Sequence, residues 1–380
     1  MKILYVTTVD STMNFFVDHF KMLKDEGNQI ELATNTGKSV LKEIFGLNLK
    51  IHNISFSRNP FCLDNIRACF QLKKIINEEN YDVVHCHTPN AAAITRLVCR
   101  SLRKKGLKVF YTAHGFHFYK DAPLKNWLLY FPIEWICAHW TDVLITINTE
   151  DYSLAKRRLK AKQIGYIRGV GLDIDKFALV NVDKDKKRRE LDIQKEDFVF
   201  VSVGELNENK NHMSVISALA ELRKEIPINN IKYLICGVGI LESKLQNLIN
   251  ENNLEDNVKL LGFRRDVSEI YKVSDFFIFP SFREGLSVAL MEAMANKLPV
   301  MCSEIRGNTD LIDKKGGLFF RPADKQRIKD ILKEVIVNRK DNLYNEKLQS
   351  MGLCNLKKVQ LFNKENILVE LKKIYDNIEI

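Results

Sequence analysis

Two glutamates, Glu284 and Glu292, lie in Phe279-Pro280-Ser281-Phe282-Arg283-Glu284-Gly285-Leu286-Ser287-Val288-Ala289-Leu290-Met291-Glu292-Ala293-Met294-Ala295, an apolar strand-like run, a tight polar turn and an apolar helical run. Their separation corresponds to about 12 Å of helical rise. If both act, they touch different parts of one extended ligand rather than one reacting atom. The helix start offers unpaired N–H groups and the positive end of the helix dipole, which suits a diphosphate. Glu292 is flanked by Met291, Ala293 and Met294, so a buried carboxylate there needs hydrogen-bond partners. Ribose hydroxyls would supply them. The alternative is a solvated glutamate on one helix face plus a first-turn dipole residue, and residue types alone do not separate the two.

A second constellation, Ser202-Val203-Gly204-Glu205-Leu206-Asn207-Glu208-Asn209-Lys210-Asn211-His212, reads as a strand, a close-approach glycine and a loop with a lysine before a helix. Lys210 can compensate a phosphate; a lone lysine at a helix start is more often solvated. His85 and His87 alternate along a strand end and share a face, with no third ligand nearby, so hydrogen-bonded histidines are expected over a metal site. The acidic triplets Asp173-Ile174-Asp175 and Asp183-Lys184-Asp185 fall in a hinge and a charge run, where turn-forming or solvated roles are expected over metal binding. No G-x-G-x-x-G follows the first strand, and Gly37-Lys38-Ser39 lacks the leading glycine of a P-loop, Leu32 standing in its place.

The elements that must position these residues alternate. Strands are predicted at 3–7, 30–34, 51–56, 83–87, 109–113, 143–147 and 164–167, then at 198–203, 233–236, 258–261, 276–279, 299–302 and 317–320. Helices are predicted between them at 15–25, 65–77, 91–105, 124–139, 211–224, 241–250 and 287–295. Such alternation implies α/β architecture with mainly parallel sheets, whose ligands bind beyond the carboxyl ends of the strands. By that rule the segment 8–12 and the turns 85–88 and 112–115 converge on one crevice. Arg168-Gly169-Val170-Gly171 leads into the charge run 183–190, and the division is drawn there: a domain 1–168, a second domain 169–355, and a C-terminal helix 356–380 returning to the first. Two doubly wound domains in tandem form a cleft, a favoured ligand site.

The 380-residue length suits two domains, and 46% hydrophobic with 28% charged residues is ordinary for a soluble globular protein. The formal charge of +10 favours an acidic or phosphate-bearing partner. Nucleic acid is disfavoured, because no recognition-helix or RNA-binding motif is present. The eight cysteines are scattered without a C-x-x-C pair, which favours reduced thiols in a cytoplasmic setting. No signal-peptide pattern opens the sequence, and no apolar run reaches the roughly 20 residues needed to span a bilayer.

With these stretches in view, the sequence resembles the retaining glycosyltransferases of family 4, in the two-domain GT-B fold. The resemblance covers nearly the whole chain. Its most specific element is the Glu284/Glu292 pair, supported by V-G-E-L-N-E-N-K-N-H (203–212), G-V-G-I-L (237–241), L-G-F-R-R-D-V (261–267) and T-A-H-G-F-H-F-Y (112–119). It implies that Glu284 faces the hydroxyls of the transferred sugar, Glu292 binds the ribose, and Lys210 meets the donor diphosphate beside Gly204. It implies that His114 lines the reaction centre, that Phe263 and Arg264 lie against the base, and that Gly285, Leu286 and Ser287 turn their N–H groups to the phosphates. Many relatives carry arginine where this chain has Glu205; Arg283 or Arg306 are the candidate replacements.

The implied reaction moves a sugar from a nucleotide-diphosphate sugar, UDP-hexose or UDP-N-acetylhexosamine, with retention. No cofactor or metal is expected, because Lys210 and the helix start can carry the leaving-group charge. The segment 112–134 resembles that of bacterial enzymes of capsular and extracellular polysaccharide assembly, which implies a lipid-linked polyprenyl-diphosphate acceptor and a peripheral place on the inner face of the cytoplasmic membrane. Thr12, His117 and Tyr119 are the acceptor-side candidates. Aromatics at 116–119 and 127–131 near Lys120 and Lys125, with basic clusters at 103–105 and 156–158, suit an anionic membrane surface. The alternative is core aromatics and solvated lysines. The rival function is a GT-B-type sugar-nucleotide epimerase or hydrolase.

Overall fold

The protein is described from a computed structural model covering residues 1–37 and 42–377. Lys38 and Ser39 of the P-loop-like tripeptide lie outside the described residues. The chain divides into two compact units: Met1–Gly171 together with the chain from Lys364 onward, and Leu172–Asn363.

The first unit is a seven-stranded parallel sheet of β1 (Lys2–Val9), β2 (Gln29–Asn35), β3 (Lys50–Asn53), β4 (Val83–His87), β5 (Lys108–Ala113), β6 (Val143–Thr146) and β7 (Gln163–Tyr166), in the order β3-β2-β1-β4-β5-β6-β7. The second is a six-stranded parallel sheet of β8 (Phe198–Val203), β9 (Ile231–Cys236), β10 (Val258–Leu260), β11 (Phe276–Phe279), β12 (Val300–Ser303) and β13 (Gly317–Phe320), in the order β10-β9-β8-β11-β12-β13. Both are doubly wound, with the winding reversing between β1 and β4 and between β8 and β11. The central strands β4 and β11 are buried at every residue, because helices cover both faces of a parallel sheet.

All thirteen expected strands are present. β3 stops at Asn53, short of the expected 56. The helix expected at 15–25 begins at Val17 after a 3-10 turn, Asp10–Phe16, and the one expected at 91–105 ends at Cys99, followed by a 3-10 turn, Leu102–Lys105. The run 183–190 is largely exposed, as expected of a charge run, but it is ordered. It forms the helix Lys184–Glu190, capped by Asp183, and Lys187 is buried, with its ammonium 2.8 Å from Asp266 and 2.7 Å from Glu269. Asp173 likewise caps the helix Ile174–Ala178, so both acidic triplets are helix starts. Gly171 has φ +81, and a Cβ there would lie 2.5 Å from the Cα of Lys364; only glycine lets these two chain segments pass.

Candidate active site

In the second unit, the loops leaving β8 and β11 meet at the reversal of winding. The Lys210 ammonium lies 2.7 Å from Glu284 Oε1, with side-chain exposures of 18% and 13%, and 4.7 Å from the centroid of Phe279. Two asparagines beside Lys210 join the loops. The Asn209 carbonyl accepts from Phe282 N at 2.8 Å, and Asn209 Nδ2 donates to the Arg283 carbonyl at 2.9 Å. Asn211, at φ +56, donates to the Pro280 carbonyl at 3.1 Å. Gly204 leaves room for the lysine stem: a Cβ there would meet Lys210 Cε at 3.1 Å.

Glu284 and Gly285 precede Ser287, whose hydroxyl caps the helix Val288–Ala295 by accepting from Leu290 N. The first-turn N–H groups have no intrahelical partner, and the turn is backed by Gly307, where a Cβ would lie 2.2 Å from the Gly285 carbonyl oxygen. Four residues into the helix, on the side facing the helix Val267–Lys272, Glu292 accepts a hydrogen bond from Tyr271 Oη at 3.1 Å. Burial pushes its carboxyl up to about 7, against the opposing effects of the Tyr271 hydrogen bond and Lys176.

Phe263 is 71% exposed. Arg264 is held elsewhere, 2.6 Å from Asp266 and 2.7 Å from Glu190, so its charge serves the loop after β10. Glu205 is exposed and Arg306 is buried. Arg283 is half-buried and makes no ion pair among the described residues.

In the first unit the three expected segments do converge. Thr8 Oγ1 is 2.8 Å from Thr88 Oγ1, and His87 Nδ1 is 3.1 Å from His114 Nε2. His85 is bonded on both sides, Nδ1 to Tyr375 Oη at 2.6 Å and Nε2 to Thr112 Oγ1 at 2.8 Å. Burial holds His114 and His19 down at about 4, and His85 and His87 well below the usual range, so the histidines of the crevice are neutral. Among the described residues no group of three or more His, Cys, Asp or Glu could hold a metal ion.

Thr12 and His117 line one cavity of about 260 Å³. Tyr119 does not; its carbonyl accepts from Trp127 Nε1 at 3.1 Å. Phe116 and Phe118 are core residues, 2% and 0% exposed, which selects the core alternative over the membrane-surface one for these two. The exposed apolar residues nearby are Leu124, Leu128, Leu129, Ile133 and Trp135. Sequence reasoning missed Asn209 and Asn211, whose placement on both sides of the lysine was the available signal, and Tyr271 and Tyr375, which act through tertiary contacts.

Residues 183–351 match the profile of glycosyl transferases group 1, and residues 2–148 that of the glycosyl transferase 4-like family. EpsD of Bacillus subtilis (strain 168), a protein named as a glycosyltransferase, is 34% identical over 381 residues, covering 98% of this chain and 96% of EpsD. The UDP-Gal:alpha-D-GlcNAc-diphosphoundecaprenol alpha-1,3-galactosyltransferase of Escherichia coli is 29% identical over 323 residues, covering 84% and 81%. Anabaena HepE, solved in complex with UDP-glucose, superposes with a TM-score of 0.79 at 17% identity over 100% of both chains, a likeness of fold. No helix among the described residues is long and apolar enough to cross a membrane. Matched in both halves by family profiles and from end to end by a relative at this level of identity, the chain belongs to the group 1, family 4-like glycosyltransferases of GT-B fold.

Proposed function

We propose that the chain is a retaining glycosyltransferase that moves a hexose or N-acetylhexosamine from a UDP-sugar to a polyprenyl-diphosphate-linked saccharide in surface polysaccharide synthesis. The observation that carries the reading is the Lys210–Glu284 pair, 2.7 Å apart at the reversal of winding in the second sheet. Each charge answers the other. With donor bound, Lys210 and the first-turn N–H groups after Ser287 take the diphosphate charge that develops as the sugar leaves, so no metal is required. Glu284, released from the lysine, receives the sugar hydroxyls. Glu292 holds the ribose, Phe263 stacks on the base, and Arg283 supplies the second cation that Glu205 does not.

The first unit takes the acceptor at His114, Thr12 and His117. A neutral imidazole there orients the acceptor hydroxyl, which attacks from the side the diphosphate leaves, and a leaving-group oxygen takes its proton. The choice of donor and acceptor is supported by the named substrates of the E. coli relative. Peripheral placement at an anionic inner membrane face is supported by Arg100, Lys104 and Trp140 around one surface hollow.

The test is a transfer assay with UDP-sugars and polyprenyl-diphosphate-linked saccharides, read by NMR of the product. The expected result is UDP release with the donor's anomeric configuration kept. Inversion would overturn the retaining mechanism, and epimer or free sugar formed equally fast without acceptor would overturn transfer in favour of an epimerase or hydrolase.

A further inference from the structure

We infer that a second, apolar cavity in the first unit holds the proximal isoprene units of the acceptor lipid, with Arg58 receiving its diphosphate; this rests on the polyprenyl-diphosphate acceptor proposed above. Two cavities of about 260 Å³ each lie side by side. One carries Thr8, Thr12, Arg58 and Thr88. The other is walled by Phe61, Ala93, Ile94, Phe116, Leu129 and Ile133. Pro60, Pro89, Asn90, His117 and Tyr130 line both, and the His117 and Tyr130 rings, 4.5 Å apart, form part of the shared wall.

The charges follow the same division. Arg58 is exposed and makes no ion pair among the described residues, so the polar end presents a cation. The apolar cavity contains one carboxylate, Glu134, and the buried Arg96 guanidinium binds it through both nitrogens at 2.8 and 3.0 Å. Its charge is answered from within, and the aliphatic and aromatic part of the wall offers an uncharged, branched chain van der Waals contact.

Two helices that lend residues to the apolar cavity also carry exposed apolar side chains. Leu124 and Leu128 on the helix Leu124–Ala138 are 72% and 70% exposed, and Ile66 and Phe70, spaced to share one face of the helix Asp64–Glu79, are 58% and 70% exposed, with Leu63 just before the helix 78% exposed. A saccharide-diphosphate-polyprenol is sugar, anion and apolar chain in that order. The crevice, Arg58 and the apolar cavity present the matching sequence of surfaces.

The experiment compares the same saccharide on a long polyprenyl diphosphate and on a short, water-soluble alkyl diphosphate. Ala93→Phe, which fills the cavity, and Ile133→Asn, at a half-exposed rim position that the fold tolerates, should each lower the long-to-short ratio of kcat/KM by about tenfold or more; if Ala93→Phe fails to fold, Ile133→Asn decides. Arg58→Ala should weaken both acceptors alike. An unaltered ratio overturns the inference alone, including the case in which the variants only lose binding to anionic vesicles. Wild-type protein that uses neither acceptor overturns the acceptor reading as well.

Discussion

At the reversal of winding in the first unit, between β1 and β4, buried histidines stand neutral and bonded to one another and to hydroxyls. At the equivalent reversal in the second, between β8 and β11, a lysine and a glutamate face each other and burial pushes a second carboxyl up to about 7. Strand order around the two reversals is the same, β2-β1-β4-β5 and β9-β8-β11-β12. The backbone therefore supplies a crevice at the carboxyl ends of the strands in both, and side chains decide what it suits. In the proposed reaction the crevice of the ion pair takes the nucleoside diphosphate and the crevice of neutral histidines the sugar hydroxyl.

The division can be broken most sharply at its charged side. Lys210→Ala and Glu284→Gln should each lower kcat by about 10²-fold or more, while His114→Gln lowers turnover and leaves the calorimetric affinity for UDP at its wild-type value. Equal loss of UDP affinity in the His114 variant would erase the distinction between the two crevices.

A smaller effect sharpens the role of Glu292. Burial raises its folded pKa from 4.5 to about 7, so the ligand-free fold prefers the protonated acid. The group therefore costs stability progressively as pH rises from about 4.5 to 7, and a constant amount above that. Ribose hydroxyls donate to the ionised form, so UDP affinity should rise about tenfold from pH 6 to pH 8 beyond the change seen in Glu292→Gln, where only the phosphate titrates. Parallel pH profiles for the two proteins would remove Glu292 from the ribose.

The smallest effect concerns the crevice of neutral histidines. Tyr375→Phe removes the hydroxyl that bonds His85 at 2.6 Å and Tyr5 at 3.2 Å, a loss of about 1–2 kcal/mol. Amide exchange should quicken at β4 and stay unchanged at β11. Equal quickening in both strands would show that the two units open together.

Most of the scaffold was legible because strands buried on both faces read as apolar runs; β11, all aromatic and aliphatic, was found at its observed bounds, as was β4, where two valines lead into the histidines. Edge strands such as β3, with exposed Lys50 and Asn53, carry less of that signal. The two glutamates and Lys210 were legible as a motif. The contact between Lys210 and Glu284, 74 residues apart, and the Tyr271 hydroxyl on Glu292 were not, since both come from the packing of adjacent loops and helices. The aromatic run at 116–118 left core and surface readings open because aromatic residues serve both equally well, and only burial distinguishes them.

Tyr375 has a further consequence for how the protein is made. The first unit holds the earliest residues of the chain, yet its central strands are closed by a helix, Lys364–Asp376, that is translated after the whole of Leu172–Asn363. Domains ordinarily fold as they emerge, the N-terminal one first. Here the order is inverted: the second unit can complete itself while the first still waits on the ribosome for its last helix. Truncation just before Lys364 should therefore leave the unit made last folded and the unit made first unfinished.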